Sequence, residues 1–138
     1  MYNNKSILVT GGTGSFGKKF IDFITQKYSP KRVVVYSRDE LKQSQMSEKY
    51  NKSYMRYFIG DIRDFDRLNL AMREIDICIH AAAMKQVVAS EYNPMEAIKT
   101  NVIGAENVLN SAVAAGVKKI INYGTNTSSL NFNKKMEL

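Results

Sequence analysis

The sequence has little cysteine and no long apolar run. Cys78 is the one cysteine in 138 residues, which excludes an internal disulfide framework and a four-cysteine metal site. It lies within the apolar residues 77–79, so we expect a buried, reduced thiol. The apolar runs span a few residues, whereas a membrane-spanning helix needs about 20, and residues 7–9 are too short for the core of a signal peptide. We therefore expect a soluble, cytoplasmic protein with no membrane partner and no metal.

Acidic residues are scarce in the first part of the chain. The whole chain carries 20 basic and 13 acidic side chains, for a formal net charge of +7. Residues 1–58 hold 11 basic and 4 acidic side chains, whereas residues 59–115 hold 5 and 8. A basic segment favours an anionic partner, either nucleic acid or a phosphorylated small molecule. The chain lacks a helix-turn-helix signature and an RNA-binding aromatic platform, so we expect no nucleic-acid partner.

Short apolar segments alternate with longer stretches of helical periodicity. The last of these stretches has a row of apolar residues on one face, at positions 95, 98, 102, 105, 109 and 113. Strands are predicted over residues 6–10, 32–36, 55–59, 76–80 and 119–123, and helices over 15–27, 39–50, 65–73 and 94–115. Nearly continuous apolar strands indicate burial on both faces, and the alternation indicates parallel pairing. The pattern predicts one α/β domain, a Rossmann-type doubly wound parallel sheet ordered 3-2-1-4-5 and truncated after about the fifth strand.

The first predicted strand leads directly into a glycine-rich turn. The spacing is Gly11-x-x-Gly14-x-x-Gly17, and a predicted helix follows. Glycine lets a phosphate approach the backbone, and the helix N-terminus supplies N–H groups and a partial positive charge for the anion. Gly17 would let the helix lie close to the first strand. The strand–turn–helix context distinguishes this turn from an ordinary one and predicts a dinucleotide pyrophosphate site.

The end of the second predicted strand is where a Rossmann domain contacts the adenosine ribose. NAD-binding domains usually place Asp or Glu there, but this chain has Ser37 and Arg38, with Lys42 one helical turn later. A serine and two cations suit a 2′-phosphate, so NADP is favoured over NAD. Ser37-x-x-Glu40 also matches a helix capping box, with Arg38 and Lys42 solvated. The two interpretations are compatible.

Two further turns fit a dinucleotide site, although each could be a plain loop. Asp61 and Ile62 follow the third predicted strand, where an adenine edge could be read. A run of three alanines at positions 81–83 follows the fourth strand, and its small side chains would let the backbone approach a cofactor. His80, the one histidine, is interpreted as a packing or loop residue rather than a base. Asn101 either holds the active-site backbone or is solvated.

Five segments together resemble a known family. They are TGGTGSFGKKF, VVVYSRDELKQS, RYFIGDIRDFDRL, DICIHAAAMKQV and EYNPMEAIKTNVIGAENV, within about residues 5–123. They are similar to the extended short-chain dehydrogenase/reductases, and within these to the inverting UDP-N-acetylglucosamine 4,6-dehydratases of polysaccharide and pseudaminic-acid biosynthesis. The resemblance implies an NADP-dependent lyase in which a hydride leaves sugar C4, water is lost from C6 and the hydride returns to C6.

The resemblance also implies a role for particular residues. Lys85 matches a family lysine near cofactor and substrate. The residues implied to hold NADP are Gly11, Thr13, Gly14, Ser15, Phe16 and Gly17 at the pyrophosphate, Ser37, Arg38 and Lys42 at the ribose phosphate, Asp61 and Ile62 beside adenine, and Ala81, Ala82 and Ala83 along the cofactor.

The resemblance ends after the fifth predicted strand. The family continues with a catalytic aspartate, lysine and tyrosine, and Asn126, Thr127 and Lys135 stand near those positions. Asparagine does not exchange a proton near neutral pH, and threonine is a poor substitute for an ammonium group. We therefore expect a partial NADP-binding Rossmann domain over residues 1–123, a divergent C-terminal tail over 124–138, no substrate domain and no catalytic activity from this chain alone.

Two functions remain open from the sequence. The chain is the cofactor-binding part of an NADP-dependent UDP-N-acetylglucosamine 4,6-dehydratase, which would meet a UDP-sugar only if the missing half is supplied. Alternatively, it is a free-standing, non-catalytic NADP-binding module that acts as a regulator or redox sensor. Both use the same glycine turn and Arg38. The apolar fifth strand at a sheet edge further predicts self-association.

Overall fold

A computed structural model describes residues 1–81 and 94–122 of the chain. All nine predicted elements are confirmed, with ends that differ by up to two residues. The strands are β1 (Ser6–Thr10), β2 (Arg32–Ser37), β3 (Met55–Ile59), β4 (Ile77–His80) and β5 (Lys119–Asn122), and the helices are α1 (Ser15–Lys27), α2 (Glu40–Lys49), α3 (Phe65–Ala71) and α4 (Pro94–Ala115).

The strands form a single parallel sheet in the order β3-β2-β1-β4-β5, as predicted. In the register, Val9 of β1 lies between Val35 of β2 and Ile79 of β4. The chain moves outward from β1 through β2 to β3, and then crosses to the other side of β1 for β4 and β5. The strand order therefore reverses beside the carboxyl end of β1. In open parallel sheets, ligands bind in the crevice at that position.

Each face of the sheet carries an apolar core. Ile7 and Val9 of β1 pack with residues of α1 and α2, whereas Leu8 faces the cluster that contains residues of α3 and α4. This alternation follows from the two-residue period of a strand. Cys78 is a fully buried free cysteine on the α3 and α4 side, and burial raises the pKa of its thiol to about 12. The predicted burial on both faces is confirmed.

The apolar face predicted for α4 packs onto the core at Leu109, but most of that face does not. Four of its side chains are more than half exposed: Met95 72%, Ile98 55%, Val102 57% and Val113 61%. The helix packs instead through Val108 and Ala112, and through Gly104, where an added Cβ would lie 2.3 Å from Cδ1 of Ile62. Small residues let the helix approach closely. No helix in the described part of the chain is both long and apolar enough to cross a membrane.

Candidate functional site

The glycine-rich turn connects the end of β1 to the start of α1. Gly11 has a φ of 64°, which favours glycine because a Cβ would be strained there. Its N–H donates to the carbonyl of Tyr36 at 2.9 Å, and the Gly14 N–H donates to the Gly11 carbonyl at 3.0 Å. Gly14 is the N-cap of α1 and offers no side-chain acceptor to the helix. The first-turn N–H groups therefore suit an external anion.

Close packing within the turn depends on the absence of two side chains. A Cβ on Gly17 would lie 2.5 Å from Cα of Gly12 and 2.6 Å from the carbonyl oxygen of Gly11. A Cβ on Gly12 would lie 2.6 Å from Cγ1 of Val35. These distances are too short for any real side chain, so α1 lies against the turn as the spacing predicts.

The remaining residues of the turn divide between the core and the surface. Thr13 is buried, whereas Gly14 and Ser15 are exposed. Phe16 is half-buried and stacks on Phe20, with ring centroids 6.3 Å apart. The turn therefore exposes Gly14 and the Ser15 side chain, and the Phe16 ring is partly exposed beside them.

The end of β2 is held by a buried glutamine that sequence reasoning missed. Nε2 of Gln43 donates to the Ser37 hydroxyl at 2.9 Å and to the Phe58 carbonyl at 3.0 Å. Gln43 and Ser37 are both buried. A polar side chain on the inner face of α2 was the signal for such a residue. Its partners lie on β2 and β3, so the sequence alone does not identify them. Ser37 is thus committed in part to an internal bond.

The predicted capping box is wrong. Asp39, not Ser37, is the N-cap of α2, and its carboxylate accepts the Lys42 N–H at 2.9 Å. The physical reason is that Ser37 still belongs to β2, while a cap must directly precede the first helical residue.

Two cations stand exposed beside this strand end. The side chain of Arg38 is 63% exposed, and its guanidinium lies 3.8 Å from the carboxylate of Asp61. Lys42 is exposed and lines, with Lys18, a cavity of about 210 Å³ beside α2. The structure therefore brings Arg38 and Lys42 to the same sheet edge as the glycine turn. Both are cations that a phosphate could approach.

Asp61 lies after β3 within an ion-pair network. Arg63 donates to its carboxylate at 2.9 Å and to Glu96 of α4 at 2.9 Å. Partial burial acts to raise the pKa of Asp61, but the hydrogen bonds and charge of Arg63 outweigh it, so the pKa is lowered. Asp61 is therefore ionised at neutral pH. The Ile62 side chain is buried against Gly104.

A second missed residue, Tyr36, supports the same turn. Its hydroxyl donates to the Asp61 carbonyl at 2.9 Å. A Cβ on Gly60 would lie 2.4 Å from that hydroxyl oxygen, so glycine is what lets the chain pass the ring. The pKa of the Tyr36 hydroxyl is raised, and burial is the largest cause. Tyr36 is therefore a neutral donor that positions the backbone at Asp61.

The end of β4 carries a buried polar pair. Nδ1 of His80 lies 2.7 Å from Oγ1 of Thr10, and the Ala81 N–H donates to the same Oγ1 at 3.0 Å. His80 is 5% exposed, and burial lowers its pKa to about 4. The interpretation of His80 as a packing residue is confirmed. The positions Ala82, Ala83, Lys85, Asn126, Thr127 and Lys135 lie outside the described residues.

The carboxyl edge of the sheet thus combines a glycine turn that suits anions, two exposed cations, an ionised carboxylate and the start of the alanine segment. Among the described residues, no group of three or more His, Cys, Asp or Glu side chains is placed to hold a metal ion. Backbone N–H groups and cations can bind phosphates, and the neighbouring strand ends can hold the rest of an extended nucleotide.

The sequence of this chain matches a known protein family and a curated relative. The model of a family described as polysaccharide biosynthesis proteins matches residues 7–133. A UDP-N-acetylglucosamine 4,6-dehydratase (inverting) of Campylobacter jejuni is 56% identical over 125 residues, which cover 91% of this chain and 37% of that protein. The chain therefore spans little more than a third of the length of this curated relative.

Solved structures show the same fold. Pen from Bacillus thuringiensis superposes with a TM-score of 0.84 at 43% identity, over 88% of this chain and 38% of that one. A dTDP-glucose 4,6-dehydratase from Streptomyces venezuelae, with NAD and TYD bound, has a TM-score of 0.74 at 28% identity, over 83% of this chain and 38% of that one. This chain is therefore similar to the first part of nucleotide-sugar dehydratases.

Proposed function

Because the chain belongs to the polysaccharide biosynthesis protein family, we propose that it is the cofactor-binding part of an NADP-dependent UDP-N-acetylglucosamine 4,6-dehydratase. The observation that carries this proposal is the combination, at one sheet edge, of a glycine turn with a side-chain-free helix N-cap and two exposed cations. The relative that is 56% identical has this activity in its name. We assign the activity to the cytoplasm, since a single buried free cysteine suits a reducing compartment.

The preference for NADP rests on the charges that follow β2. Arg38 and Lys42 are exposed there, where a 2′-phosphate would lie. Asp39, the carboxylate that follows Arg38 in the sequence, accepts a backbone N–H at the start of α2 and so serves as its cap. In NAD sites, a carboxylate at this strand end binds the ribose hydroxyls. Here the carboxylate of Asp39 caps α2 instead, and Arg38 and Lys42 are the exposed side chains.

The residues present also fit the pyrophosphate. The turn offers backbone N–H groups from the start of α1, and Gly17 and Gly12 leave no side chain in the way. When bound, NADP would accept and return the hydride of the internal redox reaction. The residues of this chain bind and orient that cofactor: the turn holds its phosphates, Arg38 and Lys42 neutralise its ribose phosphate, and Ala81 lies where its other half would pass.

The experiment that tests this proposal is a calorimetric titration of the chain with NADP⁺ and with NAD⁺. We expect tighter binding of NADP⁺. Arg38→Gln should weaken NADP⁺ about tenfold or more, because a hydrogen bond to a charged group contributes about 1.5–3 kcal/mol, and should leave NAD⁺ unchanged. Arg73→Gln, an exposed arginine beyond α3, is the control. Equal binding of both nucleotides by the wild type would contradict the NADP preference.

The alternative function is a non-catalytic NADP-binding module. It is favoured by the sequence after the fifth strand. Near the positions where the family has a catalytic aspartate, lysine and tyrosine, this sequence has Asn126, Thr127 and Lys135. Incubation of the NADP⁺-loaded chain with UDP-N-acetylglucosamine distinguishes the two. Formation of a 4-keto-6-deoxy sugar would contradict the non-catalytic module, whereas retained NADP⁺ binding with no product is the result that the module requires.

A further inference from the structure

A cavity lies between α1 and α2, along the two helices rather than at the strand ends. Its volume is about 210 Å³, and its lining residues are Lys18, Lys42, Gln45, Met46, Lys49 and Tyr50. The lining residues from α2 recur every three or four positions, so one face of that helix forms a wall of the cavity. Pockets that enclose a drug-sized ligand measure roughly 300–1,000 Å³. A ligand of this cavity is therefore smaller than a dinucleotide.

The inner wall of the cavity is apolar and is held in place. Met46 is 4% exposed, and Tyr50 is half-buried. The Tyr50 hydroxyl donates to the Asp22 carboxylate on α1 at 3.0 Å, and the Tyr50 carbonyl accepts the Tyr57 hydroxyl at 2.6 Å. Tyr50 is thus tied to α1 through its side chain and to β3 through its backbone. A wall that is fixed in advance loses little entropy when a ligand packs on it.

The rim of the cavity is basic. Lys18, Lys42 and Lys49 are all exposed, and Nζ of Lys49 lies 5.2 Å from the centre of the Tyr50 ring. Among the described residues that line the cavity, none is Asp or Glu. Charges of one sign around a cleft concentrate ligands of the opposite sign, and lysine is a common phosphate ligand. The cavity therefore combines an apolar wall with a rim that suits a phosphate.

We propose that this cavity is a second anion site, separate from the cofactor crevice, and that it binds a small phosphate monoester. The carbon part of the ligand packs on Met46 and Tyr50, and the phosphate lies among the three lysines. A phosphate monoester carries a charge of about −1.5 to −2 near neutral pH and three strong acceptor oxygens. A carboxylate supplies one charge to the same three cations, so the monoester is the better match.

Lys42 connects this site with the cofactor. Under the proposed function, on which this part of the inference rests, the same lysine neutralises the ribose 2′-phosphate. One ammonium group shared by two phosphates stabilises each less well when the other is bound, and such coupling is reciprocal. The monoester should therefore weaken the binding of NADP⁺ and leave that of NAD⁺, which lacks the 2′-phosphate, unchanged.

The test is an NMR titration of the chain with phenyl phosphate, compared with inorganic phosphate and with phenol. We expect phenyl phosphate to shift the amide signals of Met46 and Tyr50 and to bind at least fivefold more tightly than either of the other two. Lys49→Gln should weaken phenyl phosphate about fivefold, near the upper end for an exposed ion pair. Lys27→Gln, which alters an exposed lysine at the other end of α1, should leave it unchanged.

The outcomes separate this site from the cofactor site. Arg38→Gln should weaken NADP⁺ but not phenyl phosphate, and Lys49→Gln should do the reverse. The second site is overturned if phenyl phosphate binds no better than inorganic phosphate, if it depends on Arg38 rather than Lys49, or if Lys27→Gln weakens it equally. A monoester that weakens both nucleotides, or neither, overturns the sharing of Lys42. A chain that binds phenyl phosphate through Lys49 but neither nucleotide would contradict the proposed function and leave the second site standing.

Discussion

Some polar side chains at the carboxyl ends of the strands form hydrogen bonds within the protein, and others are exposed to solvent. Ser37 accepts from Gln43, Asp39 caps α2 and Thr10 contacts His80, all within the protein. Arg38 and Lys42, by contrast, are exposed. The internal group holds the strand ends in place, and the exposed group remains available to a phosphate. Substitutions in the first group should affect folding and geometry, whereas those in the second should affect ligand charge recognition.

His80 predicts a pH dependence of stability. Burial lowers its pKa to about 4 from the ordinary value of 6.5. Below pH 6.5 the unfolded chain takes up a proton that the folded chain does not, so the stability present above pH 6.5 is lost as the pH falls toward 4. The contribution of this group between pH 7 and pH 5 is about 2 kcal/mol. Urea denaturation at a series of pH values measures it.

The control for this titration is His80→Asn, because the amide side chain that it places at position 80 does not titrate. Its free energy of unfolding should fall less steeply between pH 7 and pH 5 than that of the wild type. Identical slopes for the two proteins would show that His80 does not contribute.

Two helices approach their neighbours closely at glycines, where no side chain lies between them. Helix α1 rests on the glycine turn at Gly17, and α4 approaches Ile62 at Gly104. Helix α2 begins where Asp39 caps it. The position of α1 matters most for the proposed function, because its N-terminal N–H groups are where we propose that the phosphates bind.

We expect Gly17→Ala to destabilise the fold by about 2–3 kcal/mol, near the upper end of the usual range for an overpacked site. The added Cβ would lie 2.5 Å from backbone Cα of Gly12, and backbone cannot move aside as a side chain can. Urea denaturation measures the loss. Gly14→Ala is the matched control: its nearest contact is the Gly11 carbonyl oxygen at 3.3 Å, and its φ is −77°. Equal losses for the two variants would contradict the packing role of Gly17.

The whole molecule presents two features that favour association with a second copy. Among the described strands, β5 is at one edge of the sheet. Helix α4 presents the exposed apolar row of Met95, Ile98, Val102 and Val113. Lys99 and Glu106 are also exposed on this helix and are seven residues apart, about two helical turns. In an antiparallel pair of α4 helices centred near Val102, each Lys99 would face the other copy's Glu106.

We therefore expect the chain to self-associate through α4. Sedimentation equilibrium should show a dimer, and Val102→Glu should shift it to monomer because it places a charge in the apolar row. Leu41→Glu, which alters a 68% exposed leucine on α2, should leave the dimer intact. A monomer at every concentration, or a dimer that Val102→Glu does not weaken, would contradict this expectation.

The sequence by itself determined the elements, the sheet order and the position of the glycine turn that we propose as the anion site. The elements and the turn follow from local patterns, since apolar strands, helical periodicity and a glycine turn each lie within a few neighbouring residues. The sheet order follows from the alternation of strands and helices, which favours one parallel topology. Only the tertiary structure decided that Asp39 caps α2, that Gln43 donates to Ser37, that Thr10 contacts His80 and that α4 packs through Gly104 rather than through most of its apolar row. Thr10 and His80 are 70 residues apart in the chain. Burial and hydrogen bonding depend on such distant partners, and the folded sheet is what brings them together.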